Sequence, residues 1–299
     1  MRILLTGGTG FIGRQVAAAL LRAGHEVIVP SRTARRASTG VKHVELDLFD
    51  RSAVRALVES LRPEGVVHLA WCVEHGIFWT APENLRWVAA TMHLAVVAQE
   101  AGCQRFVGIG TCFEYDWPRD AVCCETTTPI CNHTLYDTAK DATRRVLQAY
   151  SDLGDMEFAW ARLFFSYGEA EPPRRLVASV ARALIRGEPA RCGAGESVRD
   201  FMDVRDMGRA IAMVAESRIV GPVNIGNGEG ISIRDVVLML GELVGRPDLV
   251  RLGELPDPPS DPPMIVAHMS RLRDEAGYVP RYGLREGLLA ALAYWQRGS

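Results

Sequence analysis

The sequence predicts an α/β protein built on a doubly wound parallel sheet, with a smaller C-terminal domain. Three observations carry this. Strand-like and helix-like segments alternate through roughly the first half of the 299 residues. Such alternation implies right-handed strand–helix–strand crossovers, hence a parallel sheet with helices on both faces. A glycine-rich stretch joins the first strand to the first helix. The alternation then breaks after about residue 168, where Pro-rich loops begin.

Each element has a local reason. RILLT (2–6) is a short apolar β run, and FIGRQVAAALLRAG (11–24) has helical apolar spacing that stops at a glycine. HEVIVP reads as the second strand, RSAVRALVESL as an amphipathic helix and GVVHLA (65–70) as a buried third strand. PENLRWVAATMHLAVVAQEAG (82–102) is a long helix, again closed by glycine. RFVGIG is the fourth strand, LYDTAKDATRRVLQAYSDLG the next helix and EFAWARL the fifth strand. Beyond EAEPPRR, helices are predicted near 175–186, 206–216, 232–245 and 284–296, with only short strands between. The division is therefore 1–168 and 169–299, with part of the second segment returning to the sheet.

Composition excludes several classes. Lys plus Arg is 34 and Asp plus Glu 36, a net charge of -2, so nothing advertises a nucleic-acid or membrane partner as a polyion. No run reaches the about 18 apolar residues that a membrane span needs. The N-terminal apolar run is broken by glycines and by Arg14, against a signal peptide. Seven cysteines, without any C-x-x-C pair, argue against a zinc or redox motif and for a reduced, cytoplasmic protein.

TGGTGFIG satisfies G-x-G-x-x-G through Gly8, Gly10 and Gly13, and a seven-residue variant through Gly7, Gly10 and Gly13. The glycines permit a tight turn, close backbone approach to a pyrophosphate and packing of helix on strand. Phe11 and Ile12, with the glycines, open a helix whose amides and dipole attract the phosphates. The fold is thus predicted to be of Rossmann type, binding a dinucleotide. The second strand ends VPSRTARR. Ser31 stands where an acid would hold a ribose 2′-hydroxyl, and Arg32, Arg35 and Arg36 follow. Guanidinium binds a 2′-phosphate that a carboxylate would repel, which favours NADP over NAD. A solvated basic loop is the bland alternative.

LYDTAK places Tyr136 and Lys140 four residues apart, on one helix face. With TGGTGFIG they join Asp47-Leu48, HLA (68–70), TCFEYD, RLFFSYG (162–168), SVRDFMDVRDM, VNIGNG and AGYVPRYGLREGL. This set, spread over nearly the whole chain, resembles the extended short-chain dehydrogenase/reductase family of sugar-nucleotide epimerases, dehydratases and ketoreductases. The resemblance implies catalytic roles for Thr111, Tyr136 and Lys140. Thr111 would hydrogen-bond a substrate oxygen, Tyr136 would move the proton, and Lys140 would favour the phenolate and hold the nicotinamide ribose. It also implies cofactor contacts at Asp47, Leu48, Leu69 and Ala70, and substrate contacts at Cys112, Phe113, Phe165 and Arg199.

The departures narrow the subclass. The acids that follow the catalytic Thr in the family's dehydratases are here Cys112 and Phe113. Cys112 is either a pocket residue or a small buried filler. Glu114 occupies a place where the family prefers an apolar residue; it bonds locally or faces the sugar. Trp87 and Phe165 replace Asn residues common in the family. Trp71, Phe78 and Trp79 line the sugar pocket or pack a loop. Arg199 matches an arginine that meets the substrate diphosphate, although a second such arginine is missing from DPPSDPPMIVAH. Three functions are compatible: an NADPH-dependent 4-ketoreductase of a 4-keto-6-deoxy nucleotide sugar, a 4-epimerase that retains its cofactor, and a non-catalytic NADP sensor. Family analogues pair through helices equivalent to about 82–102 and 133–153, so a homodimer is expected.

Overall fold

A computed structural model describes residues 1–33, 40–74, 76–118, 121–257 and 261–297. In chain order the first segments are β1 (Arg2–Thr6), α1 (Phe11–Arg22), β2 (Glu26–Ser31), β3 (Val41–Glu45), α2 (Arg51–Leu61) and β4 (Gly65–His68). Then come α3 (Glu83–Glu100), β5 (Arg105–Thr111), α4 (Leu135–Ser151) and β6 (Glu157–Leu163). The remainder is β7 (Phe165–Tyr167), α5 (Leu176–Ile185), β8 (Ala190–Arg191), β9 (Val198–Asp203), α6 (Val204–Glu216) and β10 (Gly221–Ile225). It closes with β11 (Gly230–Ser232), α7 (Ile233–Val244), β12 (Val250–Arg251), β13 (Met264–Ile265), α8 (Ser270–Ala276) and α9 (Leu284–Arg297).

The main sheet has seven strands in the order β10-β6-β5-β4-β1-β2-β3, every neighbouring pair parallel. The predicted doubly wound Rossmann-type sheet is therefore present. One strand escaped the alternation argument. VKHVE is an edge strand paired only with β2, and its exposed and half-buried positions dilute the apolar signal. The strand that ends at Thr111 is consequently the fifth in the chain, not the fourth. The order reverses between β1 and β4, and the crevice at such a switch point, off the carboxyl ends of the strands, is where this architecture takes ligands.

Each face of the sheet carries its own apolar core. One is built with α1, α6 and α8 through residues such as Val16, Leu20, Ile211 and Leu272. The other is built with α2 and α3 through Val54, Val58, Leu94 and Ala98. A third core unites α5, α7 and α9 with β9. Beyond residue 168 the chain supplies β10 to the main sheet and most of a four-stranded sheet of β7, β9, β11 and β13. No helix of the described residues is long and apolar enough to cross a membrane.

Candidate active site

The glycine loop is a backbone cradle. Gly7 has φ +69°, and a Cβ there would lie 2.8 Å from the Ala70 nitrogen and 2.9 Å from the Leu69 carbonyl carbon. A Cβ on Gly13 would fall 2.1 Å from the Gly7 oxygen. No side chain fits at either place, so the loop presses against the end of β4. Gly10 precedes α1 without a side-chain cap, leaving the amides of Phe11 and Ile12 at the open first turn. A pyrophosphate suits that donor set. Leu69 and Ala70 are tied beside it, their amides donating to the Thr6 carbonyl and hydroxyl oxygens at 3.2 and 3.3 Å.

The far end of the crevice holds Ser31 and Arg32. The Leu46 amide donates to the Ser31 carbonyl at 2.9 Å, which brings Asp47 and Leu48 next to the end of β2. Arg32 and Asp47 are exposed and Leu48 half-buried. Arg35 and Arg36 lie outside the described residues.

Thr111, Tyr136 and Lys140 meet at the carboxyl end of β5. Thr111 ends β5, and its hydroxyl accepts from the Phe113 amide at 3.3 Å, closing a single 3-10 turn. Asp137 accepts from the His133 and Thr134 amides at 2.8 and 2.7 Å, which fixes the start of α4. The next helical positions then aim Tyr136 and Lys140 at β5. Burial pushes the Tyr136 phenol above its ordinary range; the Glu114 charge adds to this, and a hydrogen bond with Thr111 opposes it. Lys140 is 4% exposed, donates to the Ile109 carbonyl at 2.8 Å and sits 3.8 Å from the Trp71 ring centre. Burial lowers its ammonium to about 7, against the pull of Glu114.

Two kinds of comparison bear on this arrangement. The model of the NAD dependent epimerase/dehydratase family matches residues 3–226. The chain belongs to this family. A dTDP-6-deoxy-L-talose 4-dehydrogenase (NAD(P)(+)) from Kitasatospora kifunensis is 28% identical, over 96% of this chain and 93% of that one. A UDP-glucose 4-epimerase from Azospirillum brasilense is 26% identical, over 99% and 92%. The structure of the Thermus thermophilus UDP-glucose 4-epimerase in complex with NAD superposes with a TM-score of 0.88, at 27% identity and full coverage of both chains. This family member is accordingly an NAD(P)-dependent enzyme of the oxidoreductase type.

The surroundings of Thr111 are heavily aromatic. Trp79 stands edge-on to Tyr136 and to Phe113, with centroids 5.9 and 4.8 Å apart. Phe113 in turn meets Trp117 at 5.7 Å and Phe165 at 5.9 Å. Trp71 is buried, donates to Asn84 Oδ1 at 2.8 Å and stacks near Trp87. The cluster of Trp71, Phe78 and Trp79 therefore borders the candidate catalytic residues instead of merely packing a loop.

Two expected substrate contacts are deeply buried. Cys112 is 2% exposed and lies in the core with Tyr115, Cys123 and Met202. Buried there, it fits the filler reading; burial raises its thiol well above the ordinary value. Arg199 is buried and already committed. Its guanidinium donates to Asp261 at 2.6 Å and to the Val198 and Pro262 carbonyls at 2.8 Å. It lies 5.5 Å from the Phe165 ring centre, so it reaches the pocket wall with one edge at most free for an anion.

Sequence reading left Glu114 either bonding locally or facing the sugar, and the first is what the structure shows. The structure makes it a buried hub, accepting from the Thr111 amide at 2.9 Å, the Trp160 indole at 3.0 Å and Arg162 Nε at 2.7 Å. A charged residue inside an otherwise apolar strand, the arginine of EFAWARL, was the available signal for its partner.

Proposed function

We propose that the protein is an NADPH-dependent 4-ketoreductase acting on a 4-keto-6-deoxy nucleotide sugar. The observation that carries this reading is the assembly of Thr111, Tyr136 and Lys140 with no free carboxylate beside Thr111 among the described residues. Cys112 is turned into the core, Phe113 is apolar and Glu114 is bound to Arg162. Water elimination of the dehydratase kind lacks its acids here, while carbonyl reduction needs none.

Bound NADPH would supply the hydride, to C4 of the sugar. Gly7, Gly10, Phe11, Ile12 and Gly13 would hold its pyrophosphate, Asp47, Leu48, Leu69 and Ala70 would flank it, and Ser31 and Arg32 would meet the 2′-phosphate. Thr111 and Tyr136 donate hydrogen bonds to the C4 oxygen. Tyr136 passes its proton to that oxygen as the carbonyl becomes an alcohol. Burial keeps the Tyr136 phenol protonated before the transfer. Lys140 stabilises the phenolate left behind and binds the ribose hydroxyls. Phe113, Phe165, Trp79 and Trp117 offer an apolar wall that suits a deoxygenated C6.

Similarity to a 4-dehydrogenase whose name includes NAD(P)(+) supports the reading. Similarity to UDP-glucose 4-epimerases supports the second one, an epimerase that retains its cofactor. A panel of 4-keto nucleotide sugars followed at the nicotinamide absorbance tests the proposal; no oxidation of NADPH with any 4-keto-6-deoxy sugar would overturn it. Arg32→Ala should weaken NADPH by roughly 1.5–3 kcal/mol, the range for a charge-assisted bond, and leave NADH unchanged. Equal wild-type affinity for NADH and NADPH would reduce the basic loop to a solvated surface.

A further inference from the structure

We infer that Glu114, held against Arg162, is a positioning residue that fixes Thr111 at the end of the catalytic strand. This rests on the reading of Thr111 as the group that meets the substrate oxygen.

The geometry is specific. Glu114 is fully buried, both of its oxygens are engaged, and the Trp160 indole reaches Oε2 as well, at 3.2 Å. Oε1 accepts from the Thr111 amide at 2.9 Å and from the Trp160 indole at 3.0 Å. Oε2 accepts from Arg162 Nε at 2.7 Å. Arg162, 1% exposed, donates from Nη1 to the Tyr115 hydroxyl at 3.0 Å and lies 4.5 Å from the Tyr115 ring centre. The Tyr115 hydroxyl donates to Asn224 Oδ1 at 2.7 Å, and the Asn224 amide group donates to the Cys123 carbonyl at 2.8 Å. A continuous polar chain thus runs from the Thr111 backbone across β6 to β10.

The strand is shaped to admit it. A Cβ on Gly110 would lie 2.2 Å from Trp160 Nε1 and 2.5 Å from Glu114 Oε1. One on Gly108 would lie 2.6 Å from the Trp160 ring. The glycines of RFVGIGT make room for the indole whose N–H helps to hold the carboxylate. A buried ion pair is a poor source of net stability compared with apolar packing. A mount for one residue is what this pair supplies.

The test replaces the pair without leaving a lone buried charge. Glu114→Leu combined with Arg162→Met removes both charges together, and such swaps are commonly tolerated. Turnover is measured with whichever nucleotide sugar the wild type converts, by reduction or by epimerisation. Failure of the ketoreductase reading therefore leaves this test standing. The double variant should keep its cofactor affinity and its fold, and lose roughly 10- to 100-fold in kcat, the scale of a misplaced catalytic group, with a smaller change in KM. In a Thr111→Ala background the same two changes should cost no more than about twofold further, because they act through a residue already gone. Wild-type kcat in the double variant would overturn the inference. So would the full loss repeated in the Thr111→Ala background, or a double variant that cannot fold, since either assigns the pair to general structure.

Discussion

At the scale of single residues, proton position decides the chemistry. Tyr136→Phe keeps the ring and its edge-on contacts with Phe78 and Trp79. It should cost about 100-fold or more in turnover while NADPH binding survives; near-normal turnover would contradict the assignment. Lys140 gives a pH prediction whose sign is fixed by burial. Its ammonium titrates at about 7 in the folded protein, down from an ordinary value of 10.5. Below about 7 the group is charged; as pH rises through that value the folded protein releases the proton that the unfolded chain retains. The cost of burying the charge is thereby relieved, so stability attributable to Lys140 increases between about 7 and 10.5. Cofactor affinity should move the other way, falling as the ammonium is lost. Fluorescence titration of NADPH across this window should show the fall in wild type and none in Lys140→Met. The same slope in both proteins would exclude Lys140 as its source. Tyr136 and Lys140 were legible because their spacing is local. The role of Glu114 was not, because its partner lies 48 residues away on the neighbouring strand.

At the scale of elements, close backbone approach decides what can change. Helix α6 packs on α1 through Gly208, where a Cβ would lie 2.5 Å from the Gln15 Cβ and 2.6 Å from its carbonyl carbon. Gly208→Ala should therefore lower Tm by roughly 2–10 °C, the effect of about 1–3 kcal/mol of overpacking. Calorimetry checks this, and an unchanged Tm would mean that the two helices separate freely. Elements with a clear local signal, such as the amphipathic α1, the long glycine-closed α3 and the apolar runs of β4, β5 and β6, were readable from sequence. The edge strand β3 was not, since only Val41 of its five residues is buried. The short strands β7, β11 and β13 owe their existence to β9, a distant partner that no local pattern reveals.

At the scale of the whole molecule, the fold class was written in the alternation of elements and in TGGTGFIG. The proposed preference for NADP rests on the exposed Arg32, since Arg35 and Arg36 lie outside the described residues. The proposed homodimer would use α3 and α4, which pack side by side and expose Leu85 (62%) and Val146 (54%). Leu85→Glu with Val146→Glu should convert a dimer to a monomer by light scattering after gel filtration; a wild-type monomer would refute the pairing. The most direct measurement of the central claim follows a label. The protein is incubated with a 4-keto-6-deoxy nucleotide sugar and one equivalent of NADPH carrying deuterium at the transferred position. The account predicts stoichiometric NADP⁺ and one 4-hydroxy sugar with deuterium at C4. NADPH left unconsumed with the 4-keto sugar, while a 4-hydroxy nucleotide sugar supplied instead is converted to its C4 epimer without deuterium at C4, would contradict it.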